Sequence, residues 1–179
     1  MSLFPVVGHD ELMDRLRQAA ASGRLHQSLL FRGPPGTGKQ RLSLWLAGLV
    51  LCDGKVPPCG VCTSCRLSDG LQHPDIHWFF PLPSPRGVSA GKRREKLEDA
   101  RLAELQARRE RPLWTRADSS ASIFLPIVEE IRSRAVRRPA MGHSSIFVIG
   151  DADRMVPQAS SPEAANAFLK LLEEPPPDT

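Results

Sequence analysis

The sequence has no apolar run approaching the roughly 18 residues of a membrane-spanning helix, so no membrane partner is expected. Its first residues, Met1-Ser2-Leu3-Phe4-Pro5, lack a basic region followed by a long apolar segment, so no secretory leader is expected either. No internal repeat is visible, and 179 residues suffice for one domain with a real core. Excess charge is small: the net charge of +4 is a mild bias toward anionic partners, too small to name nucleic acid. Cysteine is confined, with all four residues lying between Cys52 and Cys65. Without an export signal, that clustering reads as metal ligation rather than disulfides and points to a reducing, cytoplasmic compartment.

What is present centres on Gly33-Pro34-Pro35-Gly36-Thr37-Gly38-Lys39. The stretch follows a short apolar run, Ser28–Phe31, expected as a buried parallel strand. It opens an apolar helix carrying Leu42, Trp45, Leu46 and Leu49–Leu51. Strand, glycine-rich turn and helix start make a phosphate cradle. Backbone N–H groups point at an anion, Lys39 reaches terminal phosphates, and the helix dipole adds positive charge. The bland alternative is a chance match in a turn, and the position between strand and helix argues against it. One residue departs from a working site: Gln40 stands where a Ser or Thr hydroxyl would hold Mg²⁺.

Cys59, Cys62 and Cys65 are spaced C-x2-C-x2-C, with Cys52 seven residues upstream of Cys59. Four thiolates in one loop suit a closed, structural Zn²⁺ site, and Gly60 permits the tight turn between ligands. A disulfide pair or buried free thiols are the alternatives. His73 and His77 are surplus to a tetrahedron and read as structural.

Before the cradle, Asp10 is expected to cap a helix bearing Leu12, Leu16 and Ala19, with Met13 and Ala20 beside them, which Gly23 ends. That helix is an ordinary surface helix or follows a loop walling an adenine pocket. After the cysteines, Ile76, Trp78 and Phe80 alternate as in a strand. Pro81, Pro83 and Pro85 then break the chain. Arg86–Arg116 holds ten basic and five acidic residues, with a thin apolar stripe of Leu97, Leu102 and Leu105. A solvated helix in a flexible insertion is the plainer reading. Nucleic-acid contact is the sharper one, with Trp114 the only interleaved aromatic. Ile127, Ile131 and Ala135 then recur at helical spacing, and Ile146–Ile149 reads as a buried strand. Gly150-Asp151-Ala152-Asp153 follows that strand, where Mg²⁺ and water are handled beside a phosphate loop. Ser161-Pro162-Glu163 should start a last helix, with Ala167, Phe168, Leu171 and Leu172 as its apolar face.

Together these residues resemble the AAA+ clamp-loader subunits of bacterial DNA polymerase III. The resemblance runs through Val7-Gly8-His9, Gly33–Lys39, the Cys52/Cys59/Cys62/Cys65 module, His73-Pro74-Asp75, Asp151-Ala152-Asp153-Arg154-Met155 and Asn166–Pro176. It covers most of the chain except residues 81–122. It implies an α/β, AAA+ P-loop three-layer fold with a parallel sheet, strands 1–3 present, plus an inserted four-cysteine zinc module at 52–65. Nucleotide binding would fall to Val7, Gly8, Gly33, Pro34, Pro35, Gly36, Thr37, Gly38, Lys39 and Gln40. The family contains an ATP-hydrolysing gamma/tau motor branch and a delta-prime stator branch, whose site is commonly degraded. The chain is similar to the stator branch. Gln40 replaces the metal-binding hydroxyl, and the family's D-E-A-D-R-M pattern puts Gly150 at the metal-binding Asp and Asp151 at the catalytic Glu. A one-residue shift would instead make Asp151 the ligand and put Ala152 at the base. Either register impairs hydrolysis, leaving Asp151 and Asp153 as remnants. The resemblance also implies that strand 4, the arginine finger, the lid and the collar domain lie beyond Thr179, so residues 1–179 would be a partial AAA+ domain. Expected partners are gamma/tau and delta subunits and, through the complex, the sliding clamp and primed DNA. Expected cofactors are structural Zn²⁺ and ATP, with the Mg²⁺ site lost. A gamma/tau-type motor and a general zinc-containing nucleic-acid-binding module remain the alternatives.

Overall fold

The computed structural model describes residues 6–111, 120–155 and 162–179. Two parallel strands lie at its centre, β1 (Ile76–Phe79) and β2 (Ile146–Ile149), paired in register from Ile76↔Ile146 to Phe79↔Ile149. The ladder runs past both ends: Ile146 N–H donates to Asp75 O at 2.7 Å and Gly150 N–H to Phe79 O at 2.8 Å. The helices are α1 (Asp10–Ala21), α2 (Lys39–Val50), α3 (Thr63–Asp69), α4 (Ala90–Glu110), α5 (Leu125–Ala135) and α6 (Glu163–Glu173). A 3-10 turn, Ala152–Met155, follows β2.

The expected first strand, Ser28–Phe31, does not form, so the described residues carry two strands rather than three. A strand exists only through a ladder to a neighbour. This segment and β2 instead line one open cleft. Its apolar side chains are correspondingly unburied, with Leu29 43% and Leu30 84% exposed. The fold class is thus mixed helix and strand with a small parallel sheet, compatible with an AAA+-like domain.

Two apolar clusters organise the rest. Trp78, Phe79, Phe80, Ile123, Ile127, Val128, Ile131 and Val148 form the larger, around the sheet. Val6, Met13, Leu16, Leu42, Trp45, Leu46 and Leu49 form the smaller, between α1 and α2. Helix α2 serves both, because Leu44 on its other side enters the sheet cluster. That double burial fixes the helix behind the phosphate loop. Each large side chain so buried contributes about 1.5–3 kcal/mol.

Helix α1 buries Leu16 and, beside it, Met13, while Leu12 is exposed. His9, not Asp10, occupies its cap position. Its C-terminal end follows expectation. Gly23 takes a left-handed φ of 65°, its N–H donates to Ala20 O and the Arg24 N–H to Ala19 O, the paired bonds of a Schellman ending. In α6 the cap position belongs to Pro162 rather than Ser161, and Leu172 is exposed at the cleft. Ser161, Trp114, Arg116 and Met1–Pro5 lie outside the described residues.

Helix α4 is helical as expected but not solvated all round. Its thin stripe would not hold it, since only Leu97 is fully buried. Arginines complete the face. Arg101 is 5% exposed, sits 4.9 Å above the Phe79 ring and donates to Trp78 O at 3.2 Å, covering the outer edge of β1. Arg108 is 4% exposed and lies 3.7 Å above Phe80 and 4.5 Å from Trp78. An ionic ladder joins α4 to α5, with Arg134 donating to Glu98 at 2.8 Å and to Glu130 at 2.6 Å. At the base of this excursion Leu82 and Ser122 exchange backbone hydrogen bonds of 3.0 Å each.

Candidate functional site

Two sites emerge from these elements, a phosphate-loop cleft and a cysteine cluster. The loop follows residues 28–32, which belong to no helix or strand, and ends where α2 begins. Gly36 and Gly38 adopt φ of 81° and 78°, values only glycine takes without strain. Thr37 Oγ1 donates to Pro34 O at 3.0 Å and closes the turn. The Lys39 ammonium bends back onto the loop, donating to Gly33 O at 2.9 Å and Pro34 O at 2.6 Å. An anion entering the cradle would compete with these carbonyls for the same charge.

Val7, Gly8 and the stretch from Gly33 to Gln40, Pro34 excepted, line the cleft, and Asp151 and Asp153 line it from the β2 side. His9, which sequence reasoning assigned no role, joins α1 to the loop through Nε2 to Thr37 O at 2.6 Å. Its position just before a helix and far from the loop in sequence left no local signal of that contact.

Next to Lys39, the position expected to carry a Mg²⁺-binding hydroxyl holds the Gln40 carboxamide. Gln40 Nε2 donates to Asp151 Oδ2 at 3.3 Å, and the same carboxamide lies against the Cα of Gly150. A divalent cation needs oxygen ligands from hydroxyl, carboxylate or carbonyl groups in an open shell. In the register that puts Gly150 at the metal position, one expected ligand position carries a carboxamide packed inward and the other no side chain, a poor fit to the cation; in the register shifted by one, Asp151 supplies a carboxylate there, engaged by Gln40. Asp151 itself takes a left-handed φ of 47°, uncommon for a residue with a side chain.

The cysteine cluster lies between α2 and α3. The Sγ atoms of Cys52, Cys59, Cys62 and Cys65 all fall within 4.8 Å of one another, and the Cys59–Cys65 and Cys62–Cys52 pairs are 4.0 Å apart. None of the four is in a disulfide. A tetrahedron with Zn–S bonds of about 2.3 Å needs S···S separations of about 3.8 Å, so the cluster is nearly of the required size. Backbone N–H groups already serve the sulfurs. Gly54 and Cys59 donate to Cys52, Cys62 to Cys59, and Cys65 to Cys62, each at 3.3 Å. Cys62 thereby also caps α3. Hydrogen bonds from the Val61 and Cys62 backbone lower the Cys59 thiol to about 6, while burial pushes Cys65 up to about 12. Four such groups can hold a metal ion. Gly60 has the expected left-handed φ of 72°. Gly54 matters for another reason: a Cβ there would stand 2.7 Å from Cys59 Sγ. His73 and His77 are not part of the cluster.

His73-Pro74-Asp75 turns out to be an anchor. Asp75, only 2% exposed, accepts N–H bonds from Ala140 at 2.5 Å, Met141 at 2.9 Å and Gly142 at 2.6 Å. Burial raises its pKa, and these three donors outweigh burial, so the net direction is down. The carboxylate fixes the turn that delivers the chain to β2 and hence to Gly150 and Asp151. Sequence reasoning missed this role, for which a buried acid just before a strand was the available signal.

Comparison with known proteins agrees with this assembly. The family profile described as DNA polymerase III, delta subunit matches residues 8–179. The DNA polymerase III subunit delta' of Bacillus subtilis is 30% identical over 169 residues, covering 94% of this chain and 39% of that protein. DNA polymerase III subunit gamma/tau of Mycobacterium bovis is 28% identical, covering 98% of this chain and 24% of the relative. Subunit tau of Escherichia coli is 24% identical, covering 96% and 20%. The chain thus spans about two-fifths or less of the length of these relatives. On the profile match and the similarity to delta' across nearly its whole length, this chain belongs to the DNA polymerase III delta subunit family, with the delta' clamp-loader subunits among its relatives.

Proposed function

We propose that this chain is the nucleotide-site portion, a partial AAA+ domain, of a delta-prime-type clamp-loader subunit. It acts as a stator that does not hydrolyse ATP while the complex loads a sliding clamp on primed DNA. The observation that carries this reading is the Gln40 carboxamide lodged against Gly150 and bonded to Asp151, where hydrolysis would need a metal and a free carboxylate base. The loop from Gly33 to Lys39 keeps the glycine conformations and the ammonium of an anion cradle. If ATP binds, the loop N–H groups and Lys39 would hold its phosphates, and the nucleotide would supply binding energy to the subunit interface rather than a cleavable bond. Val7 and Gly8 stand at the same cleft, suited to the base end of that ligand.

The cysteine cluster is read as a structural Zn²⁺ site, because four thiolates leave no open position for a water. Gamma/tau, delta and the clamp are the proposed partners, in the cytoplasm. Residues 81–122 are read as an inserted, basic segment. Among the described residues no helix is long and apolar enough to cross a membrane.

A gamma/tau-type motor is the second reading, favoured by the complete Gly33–Lys39 loop and by gamma/tau relatives at 28% identity. Mg²⁺-dependent ATP turnover by the full-length protein, alone and in the assembled loader, separates the two. The stator reading expects no turnover by the isolated protein, with or without Lys39→Ala. Turnover by the isolated protein that Lys39→Ala abolishes would make it a motor.

A further inference from the structure

Gln40 and Gly150 lie on different elements, α2 and the end of β2, yet they are in direct contact. A Cβ added at Gly150 would stand 2.6 Å from Gln40 Cδ and 2.8 Å from Nε2, closer than real side chains approach. Gly150 is not in the left-handed region, so conformational freedom does not explain the glycine and room for the carboxamide does. The carboxamide is also held from the far side, through its bond to Asp151 Oδ2 at 3.3 Å. Its Oε1 is buried with no hydrogen-bond partner. An orphaned oxygen normally costs about 1–3 kcal/mol, so packing against Gly150 outweighs the search for a donor.

We propose that Gln40 and Gly150 form an interlocked plug that bars a divalent cation from the phosphate-loop site, so that the cradle takes the phosphates of a nucleotide in metal-free form. The proposal deepens the stator reading and rests on its premise that Gly33–Lys39 is an anion cradle. It explains why the two departures occur together. With the carboxamide in this position, a side chain at 150 would have to displace it. Lys39 then supplies the positive charge that a cation would otherwise share.

The test is a double-mutant cycle in the full-length protein, with ATP as the probe. Without ligand, Gly150→Ala should lower Tm by roughly 3–6 °C, the range expected for overpacking in a domain of this size. In the Gln40→Ser background the same substitution should lower it by less than about 1 °C. Equal shifts in both backgrounds overturn the plug. With ATP, the rise in Tm should be the same in MgCl₂ and in a magnesium-free buffer without chelator, which leaves the cysteine cluster undisturbed. Magnesium should add to the rise only in the Gln40→Thr/Gly150→Asp double variant. A magnesium-dependent rise in the unaltered protein overturns the proposal. If ATP shifts Tm in neither buffer while the cycle still couples, the plug stands and the cradle premise fails.

Discussion

Asp75 should be among the most costly single positions to change, although it touches neither candidate site. Its carboxylate receives the N–H groups of Ala140, Met141 and Gly142 at 2.5–2.9 Å, in a setting sealed from water. A hydrogen bond to a charged acceptor contributes about 1.5–3 kcal/mol net, and leaving a buried donor unpaired costs about 1–3 kcal/mol. Three such bonds on one carboxylate are not independent, so Asp75→Ala is expected to cost about 3–5 kcal/mol in total. Asp75→Asn keeps one acceptor oxygen but turns an NH₂ toward at least one donor, for about 2–3 kcal/mol. Urea unfolding of the full-length protein measures the totals. Amide exchange at residues 140–142 gives the local signature: those three amides should lose protection in Asp75→Asn before the β1 amides do. A cost below about 1 kcal/mol for Asp75→Ala, with exchange unchanged, would refute the claim that this carboxylate holds the turn into β2.

Other expectations follow from the same geometry. Arg108 is buried between Phe80 and Trp78 and paired with Glu104 at 2.8 Å. Arg108→Ala should cost about 2–4 kcal/mol through lost packing, whereas Arg108→Met, which fills the space without a buried charge, should cost less than about 1 kcal/mol. If Met proves as costly as Ala in urea unfolding, the charge over the rings carries the stability instead. His77, stacked 4.8 Å from Phe147, is held down to about 4 by burial first and then by the charges of Arg134 and Arg101. Its folded pKa lies below the unfolded value of about 6.5, so the unfolded chain binds the extra proton. Stability from this group is therefore complete above about pH 6.5 and declines as pH falls toward 4, by about 2 kcal/mol after allowing for solvent screening. His77→Gln should flatten that part of the stability–pH curve, and an unchanged slope would count against the assignment. For the cysteine cluster, metal analysis should find about one zinc per chain, and chelation should lower Tm and free four titratable thiols. A fully folded, metal-free preparation indifferent to added Zn²⁺ would contradict the structural-metal reading.

The local motifs were legible in the sequence, for a physical reason. A glycine-rich loop between an apolar run and a helix needs only neighbouring residues to define its backbone. Cysteines within one short loop can meet without help from the rest of the fold. Likewise Gly23 ends α1 through bonds spanning five residues. The apolar periods of α2 and α5 placed Leu42, Trp45, Ile127 and Ile131 inside, and the structure buries all four.

Only the tertiary structure decided the rest, because those features depend on residues distant in sequence. Ser28–Phe31 reads as a strand in composition, but a strand needs a partner, and none of the described residues supplies one. The charged stretch after Pro85 reads as solvated until Arg101 and Arg108 meet the rings of Phe79, Phe80 and Trp78, an arrangement invisible to an apolar count. Asp75 reaches donors 65 to 67 positions away. Gln40 and Gly150 could each be seen in the sequence as a departure from a working metal site. That the two fit one another, with Asp151 111 positions from Gln40 holding the carboxamide in place, required the sheet to bring the end of β2 against the first turn of α2.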